Sequence, residues 1–489
     1  MSGHAEVVVV GAGFAGIAAA IELREASHDV VVVERADRVG GTWRENIYPG
    51  VACDVPAHLY SLERHPHPAW SAEFAPGAEI AAYLEGVVDR EGLRDAIRFG
   101  TALTDAEWDP VAERWRLGFS AGGPDSADVL VLGCGRLSQP RIPDVPGLSS
   151  FPGPVGHTAR WDPTEPVAGA RIAVVGTGSS AAQLVPELVR SGAEVVLFQR
   201  SPAWVLPRGG RRYDARDAEL FSAPGAIARE RERLAAGDGE RFAARSGRGA
   251  ASARARRAAL AHLVASVPDR GLRRALTPGY PFGCKRVVLS DTFYPAVAGE
   301  AVTLEASALA SVAGNRLTGA SGAVHDGIDR IVLATGFETT HQPYAGIVRG
   351  ENGVTLAEHW AGGMSAVAST MVAGFPNLFV MNGPHSALPH ASSLLVLERQ
   401  ADFIRRTMAG GGVVRVDADA EARASLDVAA RAAGTAWLGG CESWYLDARS
   451  GGVGVLWPGT VAELAAAMAD AARSAVSRTE RSALTGGAR

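Results

Sequence analysis

Lysine is almost absent from this sequence of 489 residues. Lys285 is the only lysine among 48 cationic side chains, and the other 47 are arginine. A lysine that persists in so arginine-rich a chain indicates a position suited to a compact, point-like ammonium group. We therefore treat Lys285 as a candidate binding residue.

Cysteine is also scarce, and its spacing excludes two common roles. Cys53, Cys134, Cys284 and Cys441 form no CxxC pair, and no histidine lies near them at zinc-ligand spacing. This pattern excludes a CxxC redox enzyme and predicts no metal site. We expect four reduced thiols and a cytoplasmic protein.

The chain has no apolar run close to the roughly 20 residues that a membrane helix needs, and its net charge is only -5. We therefore expect neither a membrane nor a nucleic acid as partner. The apolar run Val7 to Val10 begins after six residues, which predicts a buried strand instead of a signal peptide. The length allows two or three domains.

Two segments have the pattern of a βαβ unit. The first combines a strand over residues 6–10, a helix to Glu25 and a strand ending at Val33. The second has strands over 171–175 and 194–198 with a helix between them. The predicted fold is therefore α/β, with two Rossmann-like dinucleotide-binding domains.

The first unit carries a complete dinucleotide fingerprint. Gly11, Gly13 and Gly16 form GxGxxG between strand and helix, where they permit a tight turn, approach of a pyrophosphate and close packing. Glu34 ends the second strand, where a carboxylate accepts hydrogen bonds from ribose hydroxyls and repels a 2′-phosphate. This site suits FAD or NAD.

The second unit has Gly176, Gly178 and Ala181, but no acid at the position that matches Glu34. Arg200 and Ser201 stand there instead, and a guanidinium with a hydroxyl can hold a 2′-phosphate. The second site therefore favours NADPH. Its candidate contacts are Gly176, Gly178, Ser179, Ser180, Arg200 and Ser201.

The two units suggest how the chain is divided into domains. We assign residues 1–138 and 337–489 to an FAD-binding domain, and 139–207 and 283–336 to an NADPH-binding domain. Residues 208–282 are a predicted helical insertion. Between 208 and 275 this insertion holds 16 arginines and 8 acids, for which we expect a solvated basic surface.

FAD and NADPH together are typical of disulfide reductases and of monooxygenases, and the missing cysteine pair excludes the first class. Further motifs resemble the Baeyer–Villiger monooxygenases, within the wider family of flavin-containing monooxygenases. The flavin-proximal stretch is matched by Gly40-Gly41-Thr42-Trp43, Asn46, Tyr48-Pro49-Gly50 and Asp54. The fingerprint FxGxxxHTxxW followed by Asp is matched by Phe151, Gly153, His157, Thr158, Trp161 and Asp162. Other matches are Gly283-Cys284-Lys285-Arg286, Ala334-Thr335-Gly336, Gly383-Pro384, 440–445 and 456–459.

The resemblance implies roles for particular residues. Arg286 would be the active-site arginine beside the flavin, and Asp54 the carboxylate that orients it. Lys285 would join Arg200 and Ser201 around the NADPH 2′-phosphate, and Trp444 would meet the nicotinamide ribose. His157 and Trp161 would couple domain movement without a catalytic role. Further cofactor contacts would come from Gly41, Thr42, Trp43 and Tyr60.

Some positions depart from the family pattern or have no clear role. The turn that ends the first domain's last strand is Gly133-Cys134-Gly135 followed by Arg136, where the family has Ala-Thr-Gly. Arg136 is therefore an added cation near the nucleotide, and its role stays open. His385 and His390 border the expected substrate pocket, and we interpret them as packing or surface residues.

The predicted reaction inserts one oxygen atom of O2 next to a ketone carbonyl, by way of a flavin peroxide and a tetrahedral oxyanion. A fixed guanidinium such as Arg286 would stabilise that negative charge. One alternative is oxidation of a sulfide or amine by the same cofactors, and another is a flavin-binding redox sensor without turnover. The sequence does not indicate the oligomeric state.

Overall fold

We analysed a computed structural model in which residues 3–481 are described. The strands are β1 (His4–Val10), β2 (Val30–Val33), β3 (Ile97–Arg98), β4 (Leu103–Asp109), β5 (Arg114–Phe119), β6 (Ser126–Leu132), β7 (Val155–His157), β8 (Arg171–Val175), β9 (Glu194–Phe198), β10 (Val205–Leu206), β11 (Val288–Leu289), β12 (Val302–Glu305), β13 (Leu309–Ala313), β14 (Arg316–Gly319), β15 (Val324–His325), β16 (Arg330–Leu333), β17 (Val348–Arg349), β18 (Leu378–Val380), β19 (Val413–Val416) and β20 (Val476–Thr479).

The α-helices lie between these strands in the order expected for alternating α/β folds. They are α1 (Phe14–Glu25), α2 (Thr42–Glu45), α3 (Gly77–Arg90), α4 (Ser179–Arg190), α5 (Ala215–Ser222), α6 (Ala226–Ala235), α7 (Asp238–Arg245), α8 (Gly249–Ser266), α9 (Arg270–Ala275), α10 (Phe293–Val297), α11 (Leu356–His359), α12 (Ser393–Met408), α13 (Ala418–Ala432) and α14 (Val461–Ser474).

The first sheet contains the N-terminal βαβ unit. Its strand order is β17-β4-β5-β6-β1-β2-β3, and β18 also pairs with β6. β1 is parallel to both β2 and β6 and lies between them. Val7, Val8 and Val9 are fully buried, because a central parallel strand is covered by other elements on both faces.

The second sheet contains the other βαβ unit, and all five strands are parallel in the order β12-β9-β8-β16-β7. β8 and β9 occupy the bounds expected from the sequence. The predicted fold class, α/β with two Rossmann-like domains, is confirmed. The domain boundaries themselves remain a proposal.

Five helices, α5 to α9, follow one another between β10 and β11. A small core of Trp204, Ala259, Phe282 and Val287 packs α8 against the second nucleotide-binding unit. Few residues of the insertion are buried, and no residue of α7 is buried as a whole. Its last residue, Arg245, lies next to the segment that carries Lys285 and Arg286, as described below.

No helix among residues 3–481 is long and apolar enough to cross a membrane.

Candidate active site

The first glycine-rich turn is shaped by close backbone contacts. Gly11 has φ +104°, and a Cβ there would lie 2.7 Å from the carbonyl oxygen of Gly133. A Cβ on Gly16 would lie 1.8 Å from the carbonyl oxygen of Gly11. Gly13 lies at the N-terminus of α1, and a Cβ there would lie 3.5 Å from the Cα of Gly41. Larger residues would close this cradle, which fits a pyrophosphate.

Glu34 is buried at the end of β2. One carboxylate oxygen accepts a 2.7 Å hydrogen bond from the amide of Ala12, and the other accepts a 2.9 Å bond from the amide of Ala36. These bonds hold the carboxylate beside the turn. A carboxylate oxygen has two lone pairs, so each can also accept a bond from a ribose hydroxyl.

Trp43 and Tyr60 form one aromatic unit beside this turn. The Trp43 indole donates a 3.1 Å hydrogen bond to the Tyr60 hydroxyl, and the two rings meet edge to face. Tyr60 also contacts Phe14 at the start of α1. Gly41 has φ +52° and precedes Thr42, the first residue of α2. The flavin-proximal stretch thus packs directly on the cradle.

The second glycine-rich turn repeats this design. Gly176 has φ +117°, and a Cβ there would lie 2.4 Å from the carbonyl oxygen of Ala334. Gly178 precedes α4, and apart from its chain neighbours no atom of residues 3–481 would lie within 4 Å of a Cβ at that position. Ser179 and Ser180 form the first turn of α4. The N-terminus of this helix is therefore open to an anionic group.

Arg200, Ser201 and Lys285 lie together at the edge of the second turn. The Lys285 ammonium donates a 2.8 Å hydrogen bond to the Ser201 hydroxyl. Burial lowers the pKa of Lys285, and the charge of Arg200 lowers it further, while Glu442 opposes this change. Two cationic groups and a hydroxyl group that lie close together can bind the oxygen atoms of a 2′-phosphate.

A disulfide bond joins Cys284 to Cys441, whose Cα atoms are 6.2 Å apart. The expectation of four reduced cysteines is wrong for this pair, whereas Cys53 and Cys134 are free. The two bonded residues are separated by 157 positions in the chain, so their spacing could not reveal the contact. The bond ties the Lys285–Arg286 segment to the loop that carries Trp444.

An acidic residue of this loop also pairs with a cation of the proposed phosphate site. The Glu442 carboxylate lies 3.2 Å from the Arg200 guanidinium in an exposed ion pair. The Trp444 carbonyl accepts a 2.9 Å hydrogen bond from the Thr339 hydroxyl, and its ring contacts Tyr445. The 440–445 segment is therefore held against both nucleotide-binding units.

We expect the Cys441→Ser variant to unfold at a lower temperature than the wild type. Cross-linking distant residues restricts the unfolded chain, and such bonds typically contribute about 2–4 kcal/mol. The matched variants are Cys284→Ser and the double variant, compared by thermal unfolding with and without reductant. The unfolding temperature of the double variant should fall no further than that of either single variant. Additive losses, or no effect of reductant on the wild type, would contradict the bond.

Asp54 and Arg286 form the central ion pair of the site. Nη2 and Nε of Arg286 lie 2.6 Å and 3.0 Å from the same Asp54 oxygen. Burial opposes ionisation of Asp54, but the charge and hydrogen bonds of Arg286 hold its pKa below the usual value. Asp54 in turn raises the pKa of Arg286. The guanidinium is therefore permanently charged and fixed in orientation.

A cavity of about 180 Å³ opens beside this pair. Asp54 and Arg286 line it together with apolar residues and a few polar ones. The other principal lining residues are Val55, Leu59, Phe74, Arg241, Arg245, Pro389, His390 and Ser392. A cavity next to a fixed cation is the arrangement that a small polar substrate requires.

Sequence reasoning missed two residues near this pair and left a third open. Tyr445 is fully buried, and its hydroxyl has no hydrogen-bond partner among residues 3–481. Burial raises the pKa of Tyr445 to about 12, and the charges of Arg286 and Arg245 act on it. Arg136 is buried and donates a 3.0 Å bond to the Ser386 hydroxyl. Tyr445 ends the 440–445 motif but received no role from it, and no motif marked Arg245, because only the tertiary fold brings the two residues to Arg286.

The two histidines near the cavity are both buried, as expected for packing residues. Burial lowers the pKa of His385 to about 4 and that of His390 to about 3. Both side chains are therefore neutral at neutral pH. His390 also lines the cavity, where it adds an aromatic wall.

We expect the protein to lose stability as the pH falls from about 6.5 to 4. An unfolded histidine binds a proton below about pH 6.5, whereas buried His385 stays neutral to about pH 4. As the pH falls, the unfolded state therefore binds protons before the folded state does. At pH 5 this lowers the free energy of unfolding by about 2 kcal/mol per such histidine. His385→Asn should flatten the dependence of the unfolding temperature on pH, and His4→Asn is the exposed control. Parallel profiles for wild type and His385→Asn would contradict this explanation.

His157 and Trp161 of the sequence fingerprint lie apart from the cavity lining. His157 caps a short helical turn, where its Nδ1 accepts a 3.1 Å bond from the Ala159 amide. The Arg330 guanidinium lies over the Trp161 ring at 4.1 Å. Both residues thus connect the segment before the second βαβ unit to its sheet.

Comparison with known proteins gives the same family as the motifs. Residues 9–74 match the NAD(P)-binding Rossmann-like domain family. A Baeyer-Villiger monooxygenase of Streptomyces coelicolor is 43% identical over 469 residues, which cover 94% of this chain and 90% of that protein. One from Pseudomonas aeruginosa is 34% identical, with 93% and 88% covered.

The structure is also similar to an oxidised steroid monooxygenase bound to NADP, with a TM-score of 0.84 and 29% identity. The match covers 98% of this chain and all of that one. The chain belongs to the Baeyer–Villiger monooxygenase family.

Proposed function

We propose that this protein inserts one oxygen atom of O2 next to the carbonyl of a ketone, giving an ester or lactone, with FAD and NADPH as cofactors. The observation that carries the proposal is the Asp54–Arg286 pair at the wall of the cavity. Its guanidinium supplies a fixed positive charge where a carbonyl substrate would acquire negative charge.

The residues present fit both cofactors. The Gly11 cradle and Glu34 suit FAD, which carries no 2′-phosphate for the carboxylate to repel. Arg200, Ser201 and Lys285 suit NADPH, because two cations and a hydroxyl can each bond to a phosphate oxygen. Trp43 and Tyr60 would lie beside the flavin, and Trp444 beside the nicotinamide ribose. When bound, the two cofactors supply the reducing electrons and the activation of oxygen.

The protein's own contribution is orientation and charge. Asp54 fixes the Arg286 guanidinium through two hydrogen bonds to one oxygen, so no reorganisation is needed when charge develops on the substrate. The apolar side chains of the cavity would limit the access of water once substrate is bound, which would strengthen this electrostatic effect. Asp54 and Arg286 are the residues that we propose as catalytic.

The alternative acceptors, a sulfide or an amine, would need no such stabilisation of an oxyanion. Purified enzyme should therefore be given matched ketone and sulfide substrates with NADPH. We expect ester formation from ketones to depend on Arg286, and any sulfoxidation to depend on it much less. Oxygenation of sulfides without ester from any ketone would favour the alternative.

We also propose that the protein works in the cytoplasm, where NADPH is supplied. The Cys284–Cys441 bond removes the argument from reduced thiols, so the proposal now depends on the cofactor alone. Fractionation of the native host cells tests it directly.

A further inference from the structure

More cationic than acidic side chains line the cavity beside Arg286. Three arginines line it, Arg241, Arg245 and Arg286, against one acid, Asp54. The sequence predicts that the arginines of the helical insertion form a solvated surface, but Arg241 and Arg245, both on α7, line the cavity. This excess charge needs a partner.

Two of the three arginines already bind an acceptor within the protein. Arg286 is bonded to Asp54. Nε of Arg241 donates a 3.1 Å hydrogen bond to the His390 carbonyl, and the negative charge of Asp238 acts on its guanidinium. Both side chains therefore use part of their hydrogen-bonding capacity within the protein and are less available to bind an anion.

Arg245 is different. Its Nη1 is buried, and no acceptor among residues 3–481 bonds to it. Burial lowers the pKa of Arg245 to about 10, although the negative charge of Asp54 acts against this change without a hydrogen bond, so Arg245 remains charged at neutral pH. The Phe282 ring lies against the guanidinium, with its centre 5.5 Å from the guanidinium carbon. A buried, unpaired charge is costly, and an anion in the cavity would remove that cost.

The position of Arg245 is also fixed by the backbone. Gly283 has φ +90°, and a Cβ there would lie 2.0 Å from the Arg245 carbonyl oxygen. The next residue, Ser246, accepts a hydrogen bond from the Ala436 amide through its carbonyl. The end of α7 is thereby held against the segment that carries Lys285 and Arg286.

We propose that the substrate is a ketone that also bears a carboxylate, and that Arg245 binds this carboxylate while Arg286 faces the carbonyl. The proposal rests on the proposed function and specifies its substrate class. A guanidinium matches a carboxylate with two parallel N–H bonds. Arg286 and Arg241 already bind acceptors through hydrogen bonds, and Arg245 leaves one guanidinium for one monoanionic group, which favours a carboxylate over a doubly charged phosphate ester. The cavity volume of about 180 Å³ fits a short keto acid.

The experiment compares keto acids with their own methyl esters. The probes are 4-oxopentanoate, 5-oxohexanoate and 7-oxooctanoate, each paired with its methyl ester and assayed with wild type, Arg245→Gln and Arg245→Lys holoenzyme. The matched control is Arg257→Gln, because Arg257 belongs to α8 of the same insertion but is exposed. Product formation, KM for NADPH and substrate binding followed by flavin absorbance are measured.

For the best chain length we expect kcat/KM of the acid to exceed that of its methyl ester by about 10- to 100-fold. Arg245→Gln should remove this preference and weaken binding of the acid, while its methyl ester changes less than about threefold. Arg245→Lys should keep part of the preference, and Arg257→Gln all of it.

Three results would overturn the proposal: equal use of acid and methyl ester, equal loss of both in Arg245→Gln, or a raised KM for NADPH as the main effect of that variant. If no probe, neither a keto acid nor its methyl ester, gave a product with oxygen inserted next to the ketone, the proposed function would instead be contradicted. The two failures are therefore distinguishable.

Discussion

The Arg286→Ala variant should form ester about 100- to 1000-fold more slowly than the wild type while it still binds FAD. Arg286 supplies a charged group that Asp54 holds in place by bonds of 2.6 Å and 3.0 Å. Without it, charge that develops on the substrate oxygen has no fixed partner. Ester is quantified by chromatography under saturating NADPH, and bound FAD by absorbance.

The matched control is Arg316→Ala. Arg316 also pairs with an aspartate, Asp326, at 2.6 Å, but both side chains are exposed. Exposed pairs contribute little, so this variant should keep wild-type activity. Asp54→Asn should lose less than Arg286→Ala, because the guanidinium remains but is less firmly oriented. Wild-type ester formation by Arg286→Ala would refute its catalytic role.

Replacing Lys285 with methionine should raise KM for NADPH by about 10- to 100-fold and leave KM for NADH nearly unchanged. A charged hydrogen bond contributes about 1.5–3 kcal/mol, and only NADPH has the 2′-phosphate that receives it. Lys285 is already placed by its 2.8 Å bond to Ser201. The readout is initial-rate kinetics with both nucleotides.

Arg200→Ala should act in the same direction but more weakly, because the Arg200 side chain is about 62% exposed. Glu442→Gln is the informative control. Glu442 lies 3.2 Å from Arg200, so removing its charge should slightly improve NADPH binding. If Lys285→Met raised KM for NADH as much as for NADPH, the cluster would not bind the 2′-phosphate.

The parts of the fold that the sequence predicted are those set by local pattern. Each glycine-rich turn is recognisable because Gly11 and Gly176 adopt positive φ under close carbonyl contacts, which few other residues tolerate. The β8 and β9 strands are short apolar runs with clear ends, and their bounds agree with the prediction.

The candidate site was predictable only where a family motif carried it. Asp54 and Arg286 are 232 residues apart in the chain, and no pattern of spacing joins them. The resemblance named both, and the fold brings them together. Arg245 and the Cys284–Cys441 bond had no such signal, because each depends on how α7 and the 440–445 loop pack against residues 283–286.

The proposed reaction is insertion of oxygen next to a ketone by the two nucleotide sites and the Asp54–Arg286 pair acting together. Its most direct test is turnover of a keto acid by the wild-type enzyme with NADPH under isotopically labelled O2. We predict an ester or lactone that contains one labelled oxygen atom, formed in step with NADPH oxidation. Steady NADPH oxidation without any oxygenated product, across ketones and sulfides, would contradict the account.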